Sequence, residues 1–364
     1  MQICRIVITG GPCAGKSSAL DRIRRVFSEK GWTVLVVPET ATELISSGIA
    51  PWTCGTPTEY QRYQIRLQTE KERIYLSAAE NMPAEKVMIV CDRGLLDNLA
   101  YMSKEDFRSI ISEMGQSEVS LRDGYDAVFH LITAADGAEL FYTTANNTAR
   151  TETVDEALDL DRKVISAWTG HPHFRIIDNS TDFEGKMARL ISEISAFLGE
   201  PEPVEIERKF LVEYPDIEFL ESIPNCQRTE IIQTYLQCEG DREIRIRQRG
   251  LDGSYMFYRT EKRGTGAVRF ETETRISAEE YLDLLLKADP SRRPVRKTRF
   301  CLSHESRYFE IDVYPFWNDR AIVEIELKNA NEPVVFPDFI RVIREVTGEN
   351  EYKNSAIAAR IPLK

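Results

Sequence analysis

The sequence predicts two domains of different fold class, an α/β domain over residues 1–198 and a mainly antiparallel α+β domain over residues 204–364. A length of 364 residues exceeds that of one ordinary domain. Continuous apolar runs alternate with helical segments in the first half, whereas single apolar and charged residues alternate in the second. Between the halves, residues 199–203 read Gly-Glu-Pro-Glu-Pro, which predicts a helix end followed by a semi-rigid linker.

Five β-branched runs predict the strands of a parallel sheet in the first half, because strands buried on both faces are apolar without alternation. These runs are residues 4–9, 34–38, 87–91, 127–132 and 174–178. Helical segments occupy residues 17–30, 58–79, 154–169 and 182–198. Strands and helices in this order predict a parallel sheet with flanking helices and right-handed crossovers.

In the second half, charged residues recur at every second position, and alternate residues of a strand share one face. The charged positions include Glu205, Glu207 and Lys209; Arg245, Arg247 and Arg249; Arg269, Glu271, Glu273 and Arg275; Glu310 and Asp312; Glu324, Glu326 and Lys328. One helix is predicted near residues 277–288, capped by Ser277. A closed antiparallel barrel whose interior holds a polyanion and its metal ions needs this pattern, whereas a solvated face usually mixes in Thr and Ser.

Composition predicts a globular protein with adequate cores, since 42% of the residues are hydrophobic and 29% are charged. The sequence contains no run of about 18 apolar residues, so no transmembrane segment is predicted. The amino terminus does not have the pattern of a secretory signal. Seven scattered cysteines without metal-binding spacing favour unpaired thiols in a reducing, cytoplasmic compartment. A net charge of −12 argues against general nucleic-acid binding.

Residues 10–17, Gly-Gly-Pro-Cys-Ala-Gly-Lys-Ser, match the phosphate loop G-x-x-x-x-G-K-[ST] between a predicted strand and a predicted helix. In such a loop, backbone N–H groups surround the phosphates, Lys16 reaches the terminal phosphates and Ser17 ligates Mg²⁺. The alternative, a chance glycine-rich turn, does not explain this context. The sequence therefore predicts an ATP or GTP site at Gly10, Gly15, Lys16, Ser17 and Ser18.

Two acidic residues follow predicted strands at the carboxyl edge of the sheet, where ligands of such folds bind. Asp92 is predicted to hold Mg²⁺ through water, and the adjacent Arg93 to contact phosphate. Glu39 follows the second strand. Capping of the following helix is the alternative role for both carboxylates. Lys16 and Asp92 are the predicted catalytic residues of this half.

A polar stretch over residues 143–161 has the composition of a lid over the phosphates. Arg150 within it and Arg162 just after it are predicted to stabilise charge during phosphoryl transfer. The alternative for both arginines is a solvated helix face.

The first 198 residues resemble the P-loop ATPase/kinase-like family that includes the ribosylnicotinamide kinase part of NadR proteins. The phosphate loop, Pro38-Glu39-Thr40, Asp92-Arg93-Gly94 and Ile176-Ile177-Asp178-Asn179 carry the resemblance. It implies an NTPase or kinase activity. Only the loop is specific for a nucleotide, and no motif identifies a phosphate acceptor.

The second half resembles the CYTH proteins, also called triphosphate tunnel metalloenzymes. Its series begins with the ExExK motif at residues 205–209 and continues in the family's order with Gln233-Thr234-Tyr235-Leu236, Arg245-Ile246-Arg247, Lys262, Glu271 with Glu273, Arg296-Lys297-Thr298-Arg299, Glu310-Ile311-Asp312, Glu324-Ile325-Glu326 and Tyr352-Lys353-Asn354. The resemblance implies an eight-stranded antiparallel tunnel that binds triphosphates with Mg²⁺ or Mn²⁺.

The resemblance also implies a role for each charged residue of the tunnel, in line with the attraction of arginine to phosphate and of carboxylates to hard cations. The expected metal ligands are Glu205, Glu207, Asp312, Glu324 and Glu326. The expected phosphate ligands are Lys209, Arg245, Arg247, Lys262, Lys297 and Arg299. Glu205, Glu207 and Lys209 are the expected catalytic residues. Cross-strand ion pairing is the alternative for the whole set.

These features predict a metal-dependent triphosphatase acting on inorganic, nucleoside or thiamine triphosphate, with an ATP- or GTP-binding domain before it. A class IV-type adenylate cyclase is a further alternative, because the same residues serve both reactions. The pairing of domains also resembles TRPL-translocation-defect-like proteins. That resemblance implies a regulatory protein that binds GTP and a phosphorylated ligand or an anionic phospholipid.

Overall fold

The computed structural model describes residues 1–138, 153–200, 206–238, 242–263, 270–327 and 332–361. The chain divides into two compact units, Met1–Ile194 and Ser195–Lys364. This division falls within the last helix of the first unit, Phe183–Phe197. Residues 201–203 of the predicted linker lie outside the described residues. The domain limits 1–198, 199–203 and 204–364 stay predictions.

The first unit contains a five-stranded sheet in the order β2-β3-β1-β4-β5, and every pair of neighbours is parallel. Its strands are β1 (Gln2–Thr9), β2 (Thr33–Val37), β3 (Lys86–Asp92), β4 (Ala127–Leu131) and β5 (Phe174–Ile177). Its helices are α1 (Lys16–Glu29), α2 (Thr40–Ser46), α3 (Pro57–Glu80), α4 (Lys104–Glu113), α5 (Glu118–Arg122), α6 (Val154–Trp168) and α7 (Phe183–Phe197), with a 3-10 helix at Leu95–Ala100. The predicted parallel fold is confirmed.

The central strands of this sheet are buried on both faces, which explains their unbroken apolar sequence. Ile6, Val7 and Ile8 of β1 have no exposed surface, and Val90 and Cys91 of β3 have none. Because β1 lies between β3 and β4, the segments that follow these three strands emerge together at one edge. The phosphate loop follows β1 there, beside Asp92 at the end of β3.

The second unit contains one antiparallel sheet in the order β10-β9-β8-β7-β11-β12-β13-β6-β14, consistent with a tunnel barrel. Its strands are β6 (Ile206–Glu213), β7 (Cys226–Tyr235), β8 (Glu243–Leu251), β9 (Ser254–Arg263), β10 (Phe270–Ile276), β11 (Val295–His304), β12 (Arg307–Val313), β13 (Arg320–Leu327) and β14 (Val342–Glu345). Its helices are α8 (Ile217–Ser222), α9 (Ala278–Leu285) and α10 (Asn354–Arg360), with a 3-10 helix at Asn350–Tyr352.

The described residues form nine strands in this sheet, whereas the sequence predicted eight. The additional strand, β14, pairs with β6 and contains an irregularity between Val342 and Arg344. All four of its residues are exposed. It therefore has no alternation of apolar and charged residues by which the sequence could reveal it.

Strand register places the alternating charges on one face of this sheet, called here the charged face. Glu324 lies opposite Lys209 and Glu310, and Arg299 lies opposite Asp312. The other face of the same strands is apolar, and its members pack into one core: Phe210, Val212, Phe300, Leu302, Phe309, Ile311, Val313, Ala321, Val323 and Ile325. The two-residue period thus separates a charged face from a hydrophobic core.

Helix α10 covers part of the charged face. Ile357 and Ala358 pack with Tyr235, Tyr314 and Ile322 in a separate buried cluster. Helix α9 begins as predicted, since the Ser277 hydroxyl accepts a hydrogen bond from the Glu280 backbone N–H at 3.1 Å.

All seven cysteines carry free thiols, as the sequence predicted. Of the helices in the described ranges, none is both long enough and apolar enough to cross a bilayer. A cytoplasmic location stays a prediction.

Candidate functional site

The phosphate loop joins β1 to α1 through a backbone that only glycine tolerates at two points. Gly10 has a φ of 143°, and a Cβ atom there would lie 2.1 Å from the Leu131 carbonyl oxygen at the end of β4. Gly15 has a φ of 90° and directly precedes α1. The loop therefore needs Gly10 to pass close to β4 and Gly15 to pass close to the Phe183 ring, where a Cβ atom would lie 2.8 Å from its Cε2 atom.

Lys16, the first residue of α1, folds back onto its own loop. Its Nζ atom donates hydrogen bonds to the carbonyl oxygens of Gly10 and Gly11, both at 2.9 Å. Burial lowers the pKa of Lys16 to about 8, and the nearby Arg93 contributes to this shift. Ser17 and Ser18 are exposed in the first turn of the helix.

Arg93 links the ends of β1, β2 and β3. Its φ of 72° is unusual for an arginine. Its guanidinium donates to the Glu39 carboxylate, to Asp97 at 3.2 Å and to the Gly10 carbonyl oxygen at 3.3 Å. Burial opposes ionisation of Glu39, but Arg93 and Lys16 outweigh it and lower its pKa to about 2. Glu39 is therefore an ionised partner of Arg93.

Asp92 is a carboxylate with a buried oxygen, unpaired among the described residues, and a raised pKa, two features of a cation ligand. Its Oδ1 atom is buried and has no hydrogen-bond partner among the described residues. Burial raises the pKa of Asp92 to about 6, and the charge of Glu39 contributes to this shift. A buried carboxylate oxygen without a donor is costly. Its position and chemistry fit the predicted Mg²⁺ ligand.

Sequence reasoning missed three residues that contact the outside of the phosphate loop. The Asp161 Oδ1 atom accepts from the Gly11 N–H at 2.7 Å and from the Thr133 N–H at 3.2 Å, and lies 3.1 Å from the His130 Nε2 atom. The Thr133 hydroxyl donates to the Pro12 carbonyl oxygen. The Lys186 ammonium donates to the Ala14 carbonyl oxygen at 3.2 Å. No motif marks these residues, which lie more than 100 positions from the loop.

Of the two arginines assigned to the predicted lid, the structure describes one. Arg162 is exposed on α6, directly after the buried Asp161. Arg150 lies outside the described residues. Of these neighbours on α6, Asp161 is the one that contacts the loop.

We expect the change Asp161→Ala to lower the free energy of unfolding of the first unit by about 2 kcal/mol, because two buried N–H groups lose their acceptor. Chemical denaturation of the full chain measures this loss. The matched control is Arg162→Ala, which removes an exposed side chain from the neighbouring position. Equal effects of the two changes would contradict the importance of the Asp161 contacts.

On the charged face, Arg299 is the centre of an ion-pair cluster on β11, β12 and β13. Its guanidinium donates twice to Asp312, both at 2.7 Å, and once to Glu324 at 2.8 Å. It also contacts Glu310. The Lys297 ammonium donates to Asp312. The side chains of Arg299 and Lys297 are 7% and 2% exposed, so these charges lie away from bulk water.

Lys209 extends this cluster onto β6. Its Nζ atom lies 2.6 Å from Glu324 and 3.6 Å from Glu207. Burial opposes the charge of Glu324, but Lys209, Lys297 and Arg299 outweigh it and hold the pKa of Glu324 well below its usual range. The cluster therefore brings together Lys209, Lys297 and Arg299 of the predicted phosphate ligands.

The other predicted phosphate ligands lie on β8 and β9. The Arg247 guanidinium donates to Glu273 at 2.7 and 2.5 Å, and Arg245 donates to Gln233 at 3.4 Å. Lys262 lies opposite Glu243 in the strand register. Arg245, Arg247 and Lys262 thus form a second cluster. Each of these three cations faces a polar or acidic neighbour on the same face of the sheet.

The predicted metal ligands divide into three groups. Glu205 lies outside the described residues. Asp312 and Glu324 are buried and ion-paired: Lys297 and Arg299 occupy both oxygens of Asp312, and Lys209 and Arg299 contact the two oxygens of Glu324. Glu207 and Glu326 are exposed on neighbouring strands. Within the described ranges, no set of three or more His, Cys, Asp or Glu side chains is arranged to hold a metal ion.

Glu207 is the carboxylate most affected by its acidic neighbours. Partial burial raises the pKa of Glu207 to about 7, and the charges of Glu324, Glu310 and Glu326 contribute to this shift; 44% of the side-chain surface stays exposed. A divalent cation would relieve this repulsion. Carboxylate oxygens are the ligands that hard divalent cations prefer, so the chemistry of these residues, though not their present arrangement, suits such an ion.

Arg249 also belongs to the charged face, and the sequence analysis assigned it no role. It follows Arg245 and Arg247 at the same two-residue spacing, and it is 2% exposed. The two-residue spacing of charges in the sequence already placed this third arginine of β8 on the same face.

Comparison with known families gives one match for each half of the chain. The sequence model of the AAA domain family matches residues 5–186, and that of the CYTH domain matches residues 203–353. A search of curated proteins gave no match.

Solved structures similar to the chain include the hypothetical protein NE1496 and the inorganic triphosphatase NE1496. Each is 30% identical over 43% of this chain, with 99% and 96% of those chains covered and a TM-score of 0.31. The PH1012 protein from Pyrococcus horikoshii OT3 is 18% identical over 35% of this chain and 80% of its own, with a TM-score of 0.25. From the family matches, the chain belongs to the AAA domain family through its first half and carries a CYTH domain in its second.

Proposed function

We propose that the CYTH domain hydrolyses a triphosphate with the help of Mg²⁺ or Mn²⁺, and that the AAA domain binds ATP or GTP. The CYTH match supports triphosphate hydrolysis in general. The observation that carries the proposal is the charged face, where buried cations and carboxylates alternate across neighbouring strands. A solvated sheet face has no need to bury Arg299 and Lys297.

A triphosphate with about four negative charges would replace carboxylates as the partner of these cations, since arginine binds phosphate oxygens through paired donors. Lys209, Arg299 and Lys297 would hold one part of the chain of phosphates, and Arg245, Arg247 and Lys262 another. Asp312 would orient Arg299 and Lys297, because its oxygens already bind both. We propose this positioning role for Asp312. The oxygens of Glu324 are occupied in the same way by Lys209 and Arg299, so Glu324 would hold a metal ion only after these cations turn to the phosphates.

The remaining carboxylates would hold the cation. Glu207, Glu324 and Glu326 lie on adjacent strands, and Glu205 precedes them in the ExExK motif. When bound, a divalent cation neutralises phosphate charge and activates water. The raised pKa of Glu207 supports this assignment, because a cation would favour the ionised form that its acidic neighbours disfavour.

The test incubates the protein with tripolyphosphate, ATP, GTP and thiamine triphosphate in Mg²⁺ or Mn²⁺, and separates all products. We expect Glu205→Ala and Glu207→Ala to lower turnover by at least about a hundredfold, the scale of losing one group that stabilises transition-state charge. The control Lys16→Ala is expected to keep this activity. Undiminished turnover in the glutamate variants would contradict the tunnel assignment.

The same incubation separates the alternatives that the sequence left open. Cyclic AMP as the product from ATP would favour the cyclase. Retained nucleotide binding without any turnover would favour the regulatory protein. Binding of an anionic phospholipid stays a prediction from the resemblance alone.

In the AAA domain, we propose that Lys16 binds the terminal phosphates and that Ser17 and Asp92 hold Mg²⁺. The orphan Asp92 oxygen supports this arrangement, and Arg93 lies beside the loop in reach of a phosphate. We expect Lys16→Ala to lower ATP or GTP affinity by at least about a hundredfold, since a buried charge-assisted contact is lost. Isothermal calorimetry measures the change, and unchanged affinity would contradict the nucleotide site.

Phosphoryl transfer to an acceptor is a second candidate activity for this domain. Thr40 Oγ1, Tyr60 Oη and Gln61 Oε1 are buried without a hydrogen-bond partner among the described residues. Thr40 directly follows Glu39, and the charge of Glu39 contributes to the raised pKa of Tyr60, the neighbour of Gln61 on α3. Unpaired buried polar atoms favour a second, hydrogen-bonding ligand. Transfer of labelled γ-phosphate from ATP to a nucleoside or polyol, reduced by Tyr60→Phe, tests this activity against simple hydrolysis.

A further inference from the structure

A buried lysine on α7 contacts the phosphate loop at Ala14. Lys186 of α7 is 4% exposed. Its Nζ atom donates to the Ile132 carbonyl oxygen at 2.6 Å, the Asn179 Oδ1 atom at 2.7 Å and the Ala14 carbonyl oxygen at 3.2 Å. All three acceptors are neutral. An ammonium group kept in such a place is costly unless its charge or its hydrogen bonds serve the protein.

Lys186 is one of three side chains that hold successive parts of the loop, called here the loop clamp. Asp161 accepts from the Gly11 N–H, Thr133 donates to the Pro12 carbonyl oxygen, and Lys186 donates to the Ala14 carbonyl oxygen. The three residues belong to α6, the segment after β4, and α7. The loop is thus fixed from three separate elements before any nucleotide is considered.

Lys186 differs from Lys16 in what holds it. Lys16 contacts only carbonyl oxygens of its own loop, Gly10 and Gly11, in the described hydrogen bonds. Lys186 is also bound to Ile132 and Asn179, which lie outside the loop. Lys16 can therefore leave the carbonyls for a phosphate, whereas Lys186 is anchored in place and keeps its charge behind the loop.

We propose that Lys186 is a positioning residue of the nucleotide site, which fixes Ala14 and supplies an immobile positive charge that favours ligands with more phosphates. The inference rests on the proposed nucleotide binding. Coulomb attraction grows with the charge of the ligand and is strong where water is excluded. Burial lowers the pKa of Lys186 to about 8, Arg189 also lowers it, and Asp161 and Asp178 oppose this shift, so the ammonium form still predominates at neutral pH.

A residue with a purely structural role, here called a structural peg, would affect nucleotide affinity differently. Such a peg would lower the affinity of every nucleotide by the same factor when it is removed, because only the loop backbone would change. Thr133 provides this comparison within the same clamp, since Thr133→Val removes one hydrogen bond to the loop and no charge. The dependence on phosphate number therefore separates the electrostatic role from the structural one.

The experiment measures the affinities of the full chain for the tri-, di- and monophosphates of adenosine and guanosine by calorimetry. We expect Lys186→Met to weaken triphosphate binding about tenfold, the diphosphate less and the monophosphate least. Thr133→Val is expected to weaken all three by one common factor. Lys186→Arg, which keeps the charge, is expected to recover part of the triphosphate affinity.

Lys186→Gln gives a second uncharged variant with a hydrogen-bond donor, and circular dichroism reports whether each variant folds. Equal factors for all three phosphates in the folded uncharged variants, or no change, would overturn the proposal. If wild type binds no nucleotide at all, the proposed nucleotide function fails instead. The two failures are therefore distinct.

Discussion

The change Arg299→Ala is expected to lower the free energy of unfolding of the second unit by about 3–5 kcal/mol, the usual cost of leaving buried charges without their partner. Arg299 donates to Asp312, Glu310 and Glu324, and its own side chain is 7% exposed. Without Arg299, the ion pairs that remain to these carboxylates among the described contacts are Lys297 with Asp312 and Lys209 with Glu324. Chemical denaturation, with hydrogen exchange on β11 to β13, measures the loss.

A surface arginine gives the matched control for this prediction. Arg228 on β7 pairs with Glu221 and Glu230, but its side chain is 43% exposed. Its replacement by alanine is expected to change stability by less than about 1 kcal/mol, because solvent screens exposed pairs. Similar effects at positions 299 and 228 would contradict the buried cluster.

The effect of Arg299→Ala is expected to shrink as the pH falls. Lys209, Lys297 and Arg299 hold the pKa of Glu324 below its usual range against the effect of burial. Stability from such a lowered pKa is present above the ordinary carboxyl range of about 4.3 and is lost as the pH falls through the folded-state pKa. Chemical denaturation of wild type and Arg299→Ala at neutral and at acidic pH tests this prediction. If the difference in their free energy of unfolding is the same at both pH values, the loss is not caused by charge.

The change Gly10→Ala is expected to abolish nucleotide binding and to lower the stability of the first unit by more than about 3 kcal/mol, in the range of the most damaging single substitutions. The new Cβ atom would lie 2.1 Å from the Leu131 carbonyl oxygen, and a φ of 143° is unsuited to alanine. Neither β1 nor β4 can move aside readily, because both are central strands of the parallel sheet.

Gly31 offers the control for this second prediction. It also has a positive φ, 84°, but no atom lies within 4 Å of the position of its Cβ. Gly31→Ala therefore tests the backbone strain alone, which costs about 1–2 kcal/mol. Calorimetric titration with ATP and GTP, beside thermal unfolding, compares the two variants. Retained nucleotide affinity in Gly10→Ala would show that the contact with β4 is not essential.

The parts of this protein that the sequence predicted are those in which local pattern and burial coincide. The strands of the first unit are unbroken apolar runs because both faces of each strand are buried. The charged face follows a strict two-residue period because the opposite face forms the core. The phosphate loop is a short contiguous motif, so its glycines and Lys16 could be identified without any knowledge of packing.

The remaining features depend on contacts between distant segments. Asp161 and Lys186 reach the loop from positions 150 and 172 residues away from Gly11 and Ala14, and neither belongs to a motif. Metal ligation by Asp312 stays a prediction, whereas its contacts with Lys297 and Arg299 were visible only in the structure. A carboxylate in sequence carries no information about which of its possible partners is nearest in space.

Shortening the first unit would reveal how far its phosphate loop depends on the rest of the chain. A fragment that ends after β5 keeps every residue of the loop motif, yet it lacks α7 with Lys186 and with Phe183, whose ring lies against Gly15. Such a fragment would carry an intact signature and two of the three clamp residues, Thr133 and Asp161, but not the third. The smallest useful fragment for nucleotide binding therefore extends to the end of α7 at Phe197.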